Sequence, residues 1–285
     1  MGTADLVPGV SGGTIALVLG IYGRLVDSIR EGSSAIGAAL KGDFRGMRGH
    51  LGRVEWSFIL PLLAGIFTAV SLLSRFLETQ LEQRPALLAG LFLGLVAGSV
   101  VIAWRLIREP RGSHLWIGLA VAMALFVLLG IGEGRSPDDP SALVFFGSGS
   151  LAICAMILPG ISGSLILVLI GMYAPVLGAV NDREIGLVLI FVLGAVVGLA
   201  LFSQILYWAL RRHHDSVMAG LVGLMAGSTR VLWPWPDGVT GPALGSPTEG
   251  WPLVVLAMAL GVVAVSAISR LAEREEEEVI EPQPS

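Results

Sequence analysis

A short element, Pro-Gly-x-Ser-Gly, occurs twice within apolar sequence and could bind an anion. The first copy lies in Val7–Thr14 and the second in Leu158–Leu165, 151 residues later and without a gap. Proline and glycine break a helix, and a break inside a membrane must be stabilised by neighbouring groups or by a ligand. Helix N-termini carry partial positive charge, and hydroxyl groups add donors. The sequence predicts a site for a phosphate or another anion from Pro8, Gly9, Ser11, Gly12, Gly13, Thr14, Pro159, Gly160, Ser162, Gly163 and Ser164. The alternative is that the glycines only allow tight packing at a kink.

Two charged residues in or beside apolar sequence could take part in such a site, Asp5 near the first element and Arg230 in a later span. Arg230 lies about four helical turns into a run that opens near Ser216, and an arginine in a span usually has an anionic partner. It could bind a substrate phosphate, form a structural salt bridge, or extend towards the membrane surface near Trp233. Asp5 could carry a coupling proton or cation, balance Arg230, or be solvated. We expect no metal, no other cofactor and no nucleic-acid partner.

The composition indicates an all-α polytopic membrane protein with one integral membrane domain over residues 1–285. The chain is 54% hydrophobic and 14% charged, with a mean hydropathy of +0.80, which is too apolar for a soluble domain. Glycines at four-residue spacing, such as Gly90, Gly94 and Gly98, predict close helix packing. The predicted spans are 55–77, 85–104, 115–132, 185–210, 216–233 and 251–270.

Similar residues recur beyond the two elements, so the chain reads as two repeats. Each repeat would contain a re-entrant broken-helix hairpin and two transmembrane helices. The predicted parts are repeat one at 4–107, a linker span at 115–132, repeat two at 143–235, a final span at 251–270 and a disordered acidic tail at 272–285. A basic loop at 22–54 and the other basic loops favour a cytoplasmic location for these loops and for the C-terminus. The repeats then have inverted topology, as in transporters with a midplane site at broken helices.

Three stretches carry a resemblance to a known family: Ala4–Thr14 with Leu19–Tyr22, Leu158–Ser164, and Gly227–Pro234. Together they resemble the PopT-type polyprenyl-phosphate transporters over nearly the whole chain. The resemblance implies translocation of undecaprenyl phosphate across the bacterial plasma membrane, from the outer to the inner leaflet, for carrier-lipid recycling. It implies a polyprenyl-phosphate lipid and membrane lipids as partners, and it leaves the oligomeric state open. Family members usually have a half-helix before the first motif, so we expect the natural chain to begin further upstream.

Two other classes of function stay open at this point. Membrane undecaprenyl-pyrophosphate phosphatases also use inverted repeats and Pro-Gly-x-Ser turns. Against an enzyme, the spans contain no histidine or cluster of glutamates for acid–base work on a phosphate ester, and we expect a transporter rather than an enzyme. A channel or carrier for a small soluble anion is the third class, because helix N-termini bind any anion.

Overall fold

The computed structural model describes residues 1–2, 11–132, 134, 136–137, 140–235, 244–247 and 250–280, with the side chains of 78 and 273–280 left out. Twelve α-helices fall in this part of the chain: α1 Gly12–Val18, α2 Tyr22–Leu40, α3 Phe44–Arg53, α4 Trp56–Gln83, α5 Pro85–Arg105, α6 Gly112–Leu129, α7 Ala142–Ile157, α8 Gly163–Leu169, α9 Tyr173–Asn181, α10 Ile185–Arg212, α11 His214–Ser228 and α12 Trp251–Ile280. By length and composition, α4, α5, α6, α10 and the Trp251–Ala272 part of α12 could cross a membrane. The predicted all-helical, polytopic class is confirmed.

Helix ends follow local sequence signals. Pro85 occupies the first turn of α5. N–H groups in the first turn have no acceptor within the helix, so the N–H that proline lacks costs no hydrogen bond there. Asp43 caps α3 by accepting the N–H of Gly46 at 2.8 Å. The last helix continues to Ile280, into the stretch predicted as a disordered tail, because alanine, glutamate and arginine favour helix.

The long helices pack in pairs at glycines. The pairs are α5 with α12, α7 with α10 and α6 with α11. A methyl group added at Gly94 would lie 1.9 Å from the carbonyl oxygen of Met258, and one added at Gly194 would lie 2.0 Å from that of Phe146. Helices in a bilayer associate mainly through such close packing. The predicted packing role of the spaced glycines is therefore confirmed at these contacts.

Gly94→Ala is expected to separate α5 from α12 and to lower the free energy of unfolding by about 1–3 kcal/mol, the usual cost of overpacking. The measurement is unfolding by sodium dodecyl sulfate in mixed micelles. Gly65→Ala is the matched control, because nothing lies within 4 Å of a methyl group added there. Equal stability of the two variants would contradict the packing argument.

The two halves of the chain share local backbone conformations at equivalent positions. Gly20 and Gly171, 151 residues apart, have φ of 70° and 71°. Arg84 joins α4 to α5 with φ −141° and ψ 54°, and His213, 129 residues later, joins α10 to α11 with φ −136° and ψ 47°. The offset of 151 is that of the two Pro-Gly-x-Ser-Gly elements. At the offset of 129, Gly65 recurs as Gly194 and Gly94 as Gly223.

A largely buried carboxylate of α2 forms ion pairs with residues of α3. Glu31 lies 2.8 Å from Nδ1 of His50, 3.3 Å from Arg53 and 3.0 Å from Arg30, with 11% of its side chain exposed. Burial by itself would raise the pKa of Glu31, but the hydrogen bond from His50 and the charges of Arg53 and Arg30 hold this pKa below its ordinary value of 4.5. The ionised form therefore stabilises the folded loop.

Glu31→Gln is expected to loosen α3, because it removes the charge that pairs with His50 and Arg53. Amide hydrogen exchange of residues 44–53 should become about tenfold faster, a change that corresponds to about 1.4 kcal/mol. In the unchanged chain the same amides should lose protection as the pH falls below 4.5. The pKa of Glu31 is lower in the folded chain than in the unfolded one, so its carboxylate stabilises the fold at higher pH and loses this effect as it becomes protonated. Glu55→Gln, which breaks an exposed pair with Arg24, serves as the control. Unchanged exchange in Glu31→Gln would disprove this role of Glu31.

Candidate functional site

We call the two Pro-Gly-x-Ser-Gly elements the first break (residues 8–12) and the second break (residues 159–163). The described end of the first break, with Gly13 after it, contacts residues 157–159 at the start of the second. The hydroxyl of Ser11 donates to the carbonyl oxygen of Leu158, which directly precedes the second break, at 3.4 Å. A methyl group added at Gly13 would lie 3.0 Å from the carbonyl oxygen of Ile157 and 3.4 Å from Cα of Pro159. The structure thus brings together two elements that lie 151 residues apart in the sequence.

The first break leads into a buried half-helix. Ser11 caps α1 by accepting the N–H of Gly13 at 3.1 Å, and Ser11, Gly12, Gly13 and Thr14 are all buried. Thr14 is fully buried, and its hydroxyl has no hydrogen-bond partner among the described residues. Such a hydroxyl is costly to bury, at about 1–3 kcal/mol, and it calls for a partner. Three predicted residues lie outside the described part of the chain: Asp5, Pro8 and Gly9.

The second break has the same cap and a more open surface. Pro159 and Gly160 are buried, and Gly160 has φ of 86°, a conformation that favours glycine. Ser162 caps α8 by accepting the N–H of Leu165 at 3.2 Å, and its oxygen lies 2.7 Å from the hydroxyl of Ser164, which is exposed. Gly163 is buried, and α8 bends by 111° into α9. A methyl group at Gly160 would lie 2.7 Å from Cα of Met225 in α11.

Both capping serines are engaged in this conformation. The oxygen of Ser11 accepts from Gly13 and its proton goes to Leu158, while Ser162 bonds with Leu165 and Ser164. The bonds accepted from Gly13 and Leu165 are typical of N-caps. An anion could receive the proton of Ser11 only if the two breaks separate.

Arg230 lies in a turn directly after α11. The helix ends at Ser228, and successive i to i−3 backbone bonds follow, including Arg230 to Gly227 at 3.4 Å and Trp233 to Arg230 at 3.2 Å. The helical run predicted over 216–233 is therefore shorter than expected. Pro234 explains this, since proline lacks an N–H and disfavours helix in the residue before it.

The guanidinium group of Arg230 packs on the end of α6. Its Cζ lies 4.7 Å from the ring centroid of Phe126, and a methyl group added at Gly130 would lie 2.6 Å from its Nη2. Cation–π contact of this kind suits a desolvated arginine. The side chain thereby gains a defined position.

The turn that carries Arg230 shares hydrophobic clusters with residues of both halves of the site. Leu232 belongs to a buried cluster that includes Ile15 of α1. Val231 packs on a cluster that includes Ile161 of the second break. These clusters link the turn to both halves of the predicted site, and the guanidinium group contacts Phe126 and the end of α6.

Three residues of this arrangement were missed by sequence reasoning. Tyr22 is buried and donates to the carbonyl oxygen of Ile157 at 3.2 Å, and the recurrence of Gly-x-Tyr after both elements could have indicated it. Phe126 and Gly130, which position Arg230, carry no signal of their own. Their role depends on how α6 packs against α11.

Comparisons with known proteins agree with this picture. The model of a family described as undecaprenyl phosphate translocase-like matches residues 1–249. A polyprenyl-phosphate transporter of Vibrio cholerae is 42% identical over 240 residues, covering 83% of this chain and 76% of that protein. A polyprenyl-phosphate transporter of Staphylococcus aureus is 26% identical over 253 residues, covering 82% and 83%. No solved structure matches. The resemblance noted in the sequence is confirmed.

Proposed function

The chain belongs to the undecaprenyl phosphate translocase-like family, and from this premise we propose that it carries a polyprenyl phosphate across the bacterial plasma membrane. The transported lipid would be undecaprenyl phosphate, moved from the outer to the inner leaflet. The names of the two relatives support the substrate. The helices long enough to cross a membrane support an integral location.

Opposite directions of α1 and α8 support an inverted-repeat architecture. Gly20, just after α1, lines one cavity with His214 at the start of α11, and His214 lines a second cavity with His114 at the start of α6. The N–H of Gly134, which follows the end of α6, donates to Val168 near the end of α8 at 3.1 Å. The two half-helices thus end near opposite ends of α6. We assign the two repeats, each with a re-entrant hairpin and two transmembrane helices, to 4–107 and 143–235, with 115–132 as linker span and 251–270 as final span.

Positive charge supports the assignment of sides. The cavities at the end of α1 and at the start of α6 are lined by six arginines: Arg105, Arg108, Arg111, Arg211, Arg212 and Arg270. Cytoplasmic loops are enriched in arginine and lysine. We assign the face with these residues to the cytoplasm. We assign the C-terminus to the same side, because Arg270 of the last helix lines a cavity with Arg105.

The contact between the two breaks is the observation that supports a phosphate site most directly. A lipid phosphate needs neutralising charge and donors to enter the membrane interior. Thr14 offers a buried hydroxyl, and Arg230 offers a full positive charge from a turn that shares hydrophobic clusters with both halves. When the breaks separate, Ser11, Ser162 and the backbone N–H groups of α1 and α8 become donors to the phosphate. The prenyl chain would remain in the lipid through a lateral opening.

Charge balance during transport requires a coupling ion. A phosphate monoester carries about −1.5 to −2 charges at neutral pH, by analogy with phosphorylated side chains, and Arg230 supplies one positive charge. A proton or another cation would supply the rest. Asp5 is our candidate for the group that binds it, because it precedes the first break by three residues in the sequence.

One reconstitution experiment tests this function against its alternatives. Purified protein in liposomes receives undecaprenyl phosphate in the outer leaflet, and leaflet exchange, phosphate release and anion current are followed together. We expect exchange with the phosphate ester intact. Free phosphate would favour a phosphatase-like enzyme. An anion current without lipid exchange would favour a channel or carrier for small anions.

A further inference from the structure

A basic cavity of about 340 Å³ lies outside the paired breaks, on the face assigned to the cytoplasm. It is formed by the loop between α5 and α6 and by the junction of α10 with α11. Four arginines face two carboxylates in its lining: Arg108, Arg111, Arg211 and Arg212 against Glu109 and Asp215. Clefts lined by one sign of charge concentrate ligands of the opposite sign.

The two carboxylates are already engaged and hold the cavity in shape. Asp215 accepts the backbone N–H groups of Arg108 at 3.1 Å and Glu109 at 3.0 Å. The hydrogen bond from His214 and these two N–H groups lower the pKa of Asp215 to about 2, so it stays ionised and keeps the loop fixed to α11. Glu109 pairs with Arg111 at 2.7 Å.

Two arginines of the cavity keep their donors available. Within the described part of the chain, no hydrogen bond or ion pair engages the guanidinium of Arg108 or Arg212, and both side chains are exposed. Arg211, by contrast, donates to the hydroxyl of Tyr207 at 2.6 Å. A guanidinium group binds phosphate through two parallel hydrogen bonds, so a pair of them suits a phosphate group.

An apolar cavity of about 370 Å³ adjoins the basic one and shares Arg108 and His214 with it. Its walls include Leu17, Leu210 and Met218. We call the arginines of the basic cavity the rim, and Leu17, Leu210 and Met218 of the apolar cavity the shelf. A phosphorylated lipid suits this pair, because its phosphate would bind to the rim and the first part of its chain would pack on the shelf. A soluble anion would use only the rim.

The apolar cavity also connects the rim to the first break. Leu17 and Gly20 line it at the end of α1, and α1 starts at the first break with Gly12. Seven helical residues span about 10 Å. A lipid phosphate that leaves the breaks towards the cytoplasm would therefore meet Arg108 next.

We propose that Arg108 and Arg212, with the apolar shelf beside them, form a second docking site that receives the phosphate monoester of the lipid in the inner leaflet. This site rests on the proposed transport function and adds a release step to it. A monoester carries more negative charge than the phosphodiester of ordinary membrane lipids, which favours it at a pair of arginines.

Protection of arginine from chemical modification tests the docking site without a transport assay. The full chain in detergent micelles is treated with phenylglyoxal, and modified residues are located by mass spectrometry. Farnesyl phosphate should slow the modification of Arg108 and Arg212 at least about fivefold, while farnesol should not, because charge-assisted hydrogen bonds supply the binding energy. Inorganic phosphate should need about tenfold higher concentration, since it makes no use of the shelf.

Arg45 and Arg48 provide the internal control, because both are exposed on α3 and line neither cavity. Equal protection of these residues, or none at Arg108 and Arg212, would overturn the proposal. Equal protection by inorganic and farnesyl phosphate would also overturn it and would indicate a site for free phosphate.

A pair of variants links the docking site to transport. The double variant Arg108→Gln and Arg212→Gln should exchange lipid about tenfold more slowly, the effect of losing about 1.4 kcal/mol of binding. The backbone N–H of Arg108 still reaches Asp215 in this variant, so the loop should keep its fold. Arg45→Gln with Arg48→Gln should exchange at the normal rate.

The two proposals fail in different ways. If the unchanged protein exchanges lipid and the Arg108/Arg212 double variant matches it, the docking site is wrong and the transport function stands. If the unchanged protein does not exchange lipid, the transport function is wrong. In that case the protection of Arg108 and Arg212 by farnesyl phosphate alone shows whether the docking site exists.

Discussion

Replacing Arg230 by alanine is expected to lower the rate of leaflet exchange of undecaprenyl phosphate by about 10- to 150-fold, the range that corresponds to losing about 1.5–3 kcal/mol from one charged hydrogen bond. The physical reason is that a phosphate inside the membrane would lose its full neutralising charge. The measurement is exchange in proteoliposomes at matched protein content. Because the guanidinium group packs on Phe126 and Gly130, the variant should retain its helices but lose some stability.

A conservative variant separates charge from packing at this position. Arg230→Lys keeps the positive charge but loses the contact of the guanidinium group with the Phe126 ring, so it should recover part of the exchange rate. Arg75→Ala, an exposed residue of α4, should exchange normally. If Arg230→Ala exchanged at the normal rate, Arg230 would have no place in the site.

Gly13→Val is expected to keep the two breaks from closing on each other, as they do in this conformation, and to reduce exchange by about tenfold or more because the transport cycle needs both the closed and the separated state. Even the first carbon of the new side chain would lie 3.0 Å from the carbonyl oxygen of Ile157 and 3.2 Å from the hydroxyl of Ser11. Two further carbons cannot fit without displacing the backbone next to the second break. Overpacking of this kind costs about 1–3 kcal/mol, and it falls on the contact that defines the site.

Gly37→Val is the matched control for this substitution. Gly37 is also a helical glycine, and nothing lies within 4 Å of a methyl group added there. Both variants lose similar helix propensity, so a difference between them reports on the contact between the breaks. Normal exchange by Gly13→Val, with the same helix content, would show that this contact is not needed.

Sequence predicted the elements that depend on local chemistry. The breaks were found because proline, glycine and serine act on the backbone within a few residues. The spans were found because apolar runs end at charged residues: the expected starts at 55, 85 and 185 agree with helices that begin at Trp56, Pro85 and Ile185. Their ends were less accurate, since glutamine and arginine continue a helix into water, as at Gln83.

The contacts that complete the site could not be predicted from the sequence. The bond between Ser11 and Leu158 requires two chain segments 151 residues apart to fold together. The contact of the Arg230 guanidinium group with Phe126 and Gly130 depends on how α6 packs against α11. The capping of α8 by Ser162 follows from a rotamer, which residue types alone do not determine. Recurrence of the element was the signal that linked the two breaks, and it identified the pair without its geometry.

The central claim is that the paired breaks hold the lipid phosphate, and photo-crosslinking tests it most directly. A polyprenyl phosphate with a diazirine next to the phosphate is irradiated with the protein in liposomes, and labelled peptides are identified by mass spectrometry. We expect labels in residues 11–18 and 162–169 that disappear when unlabelled lipid is added in excess. Labels confined to the lipid-facing surface of α4, and unaffected by unlabelled lipid, would contradict the claim.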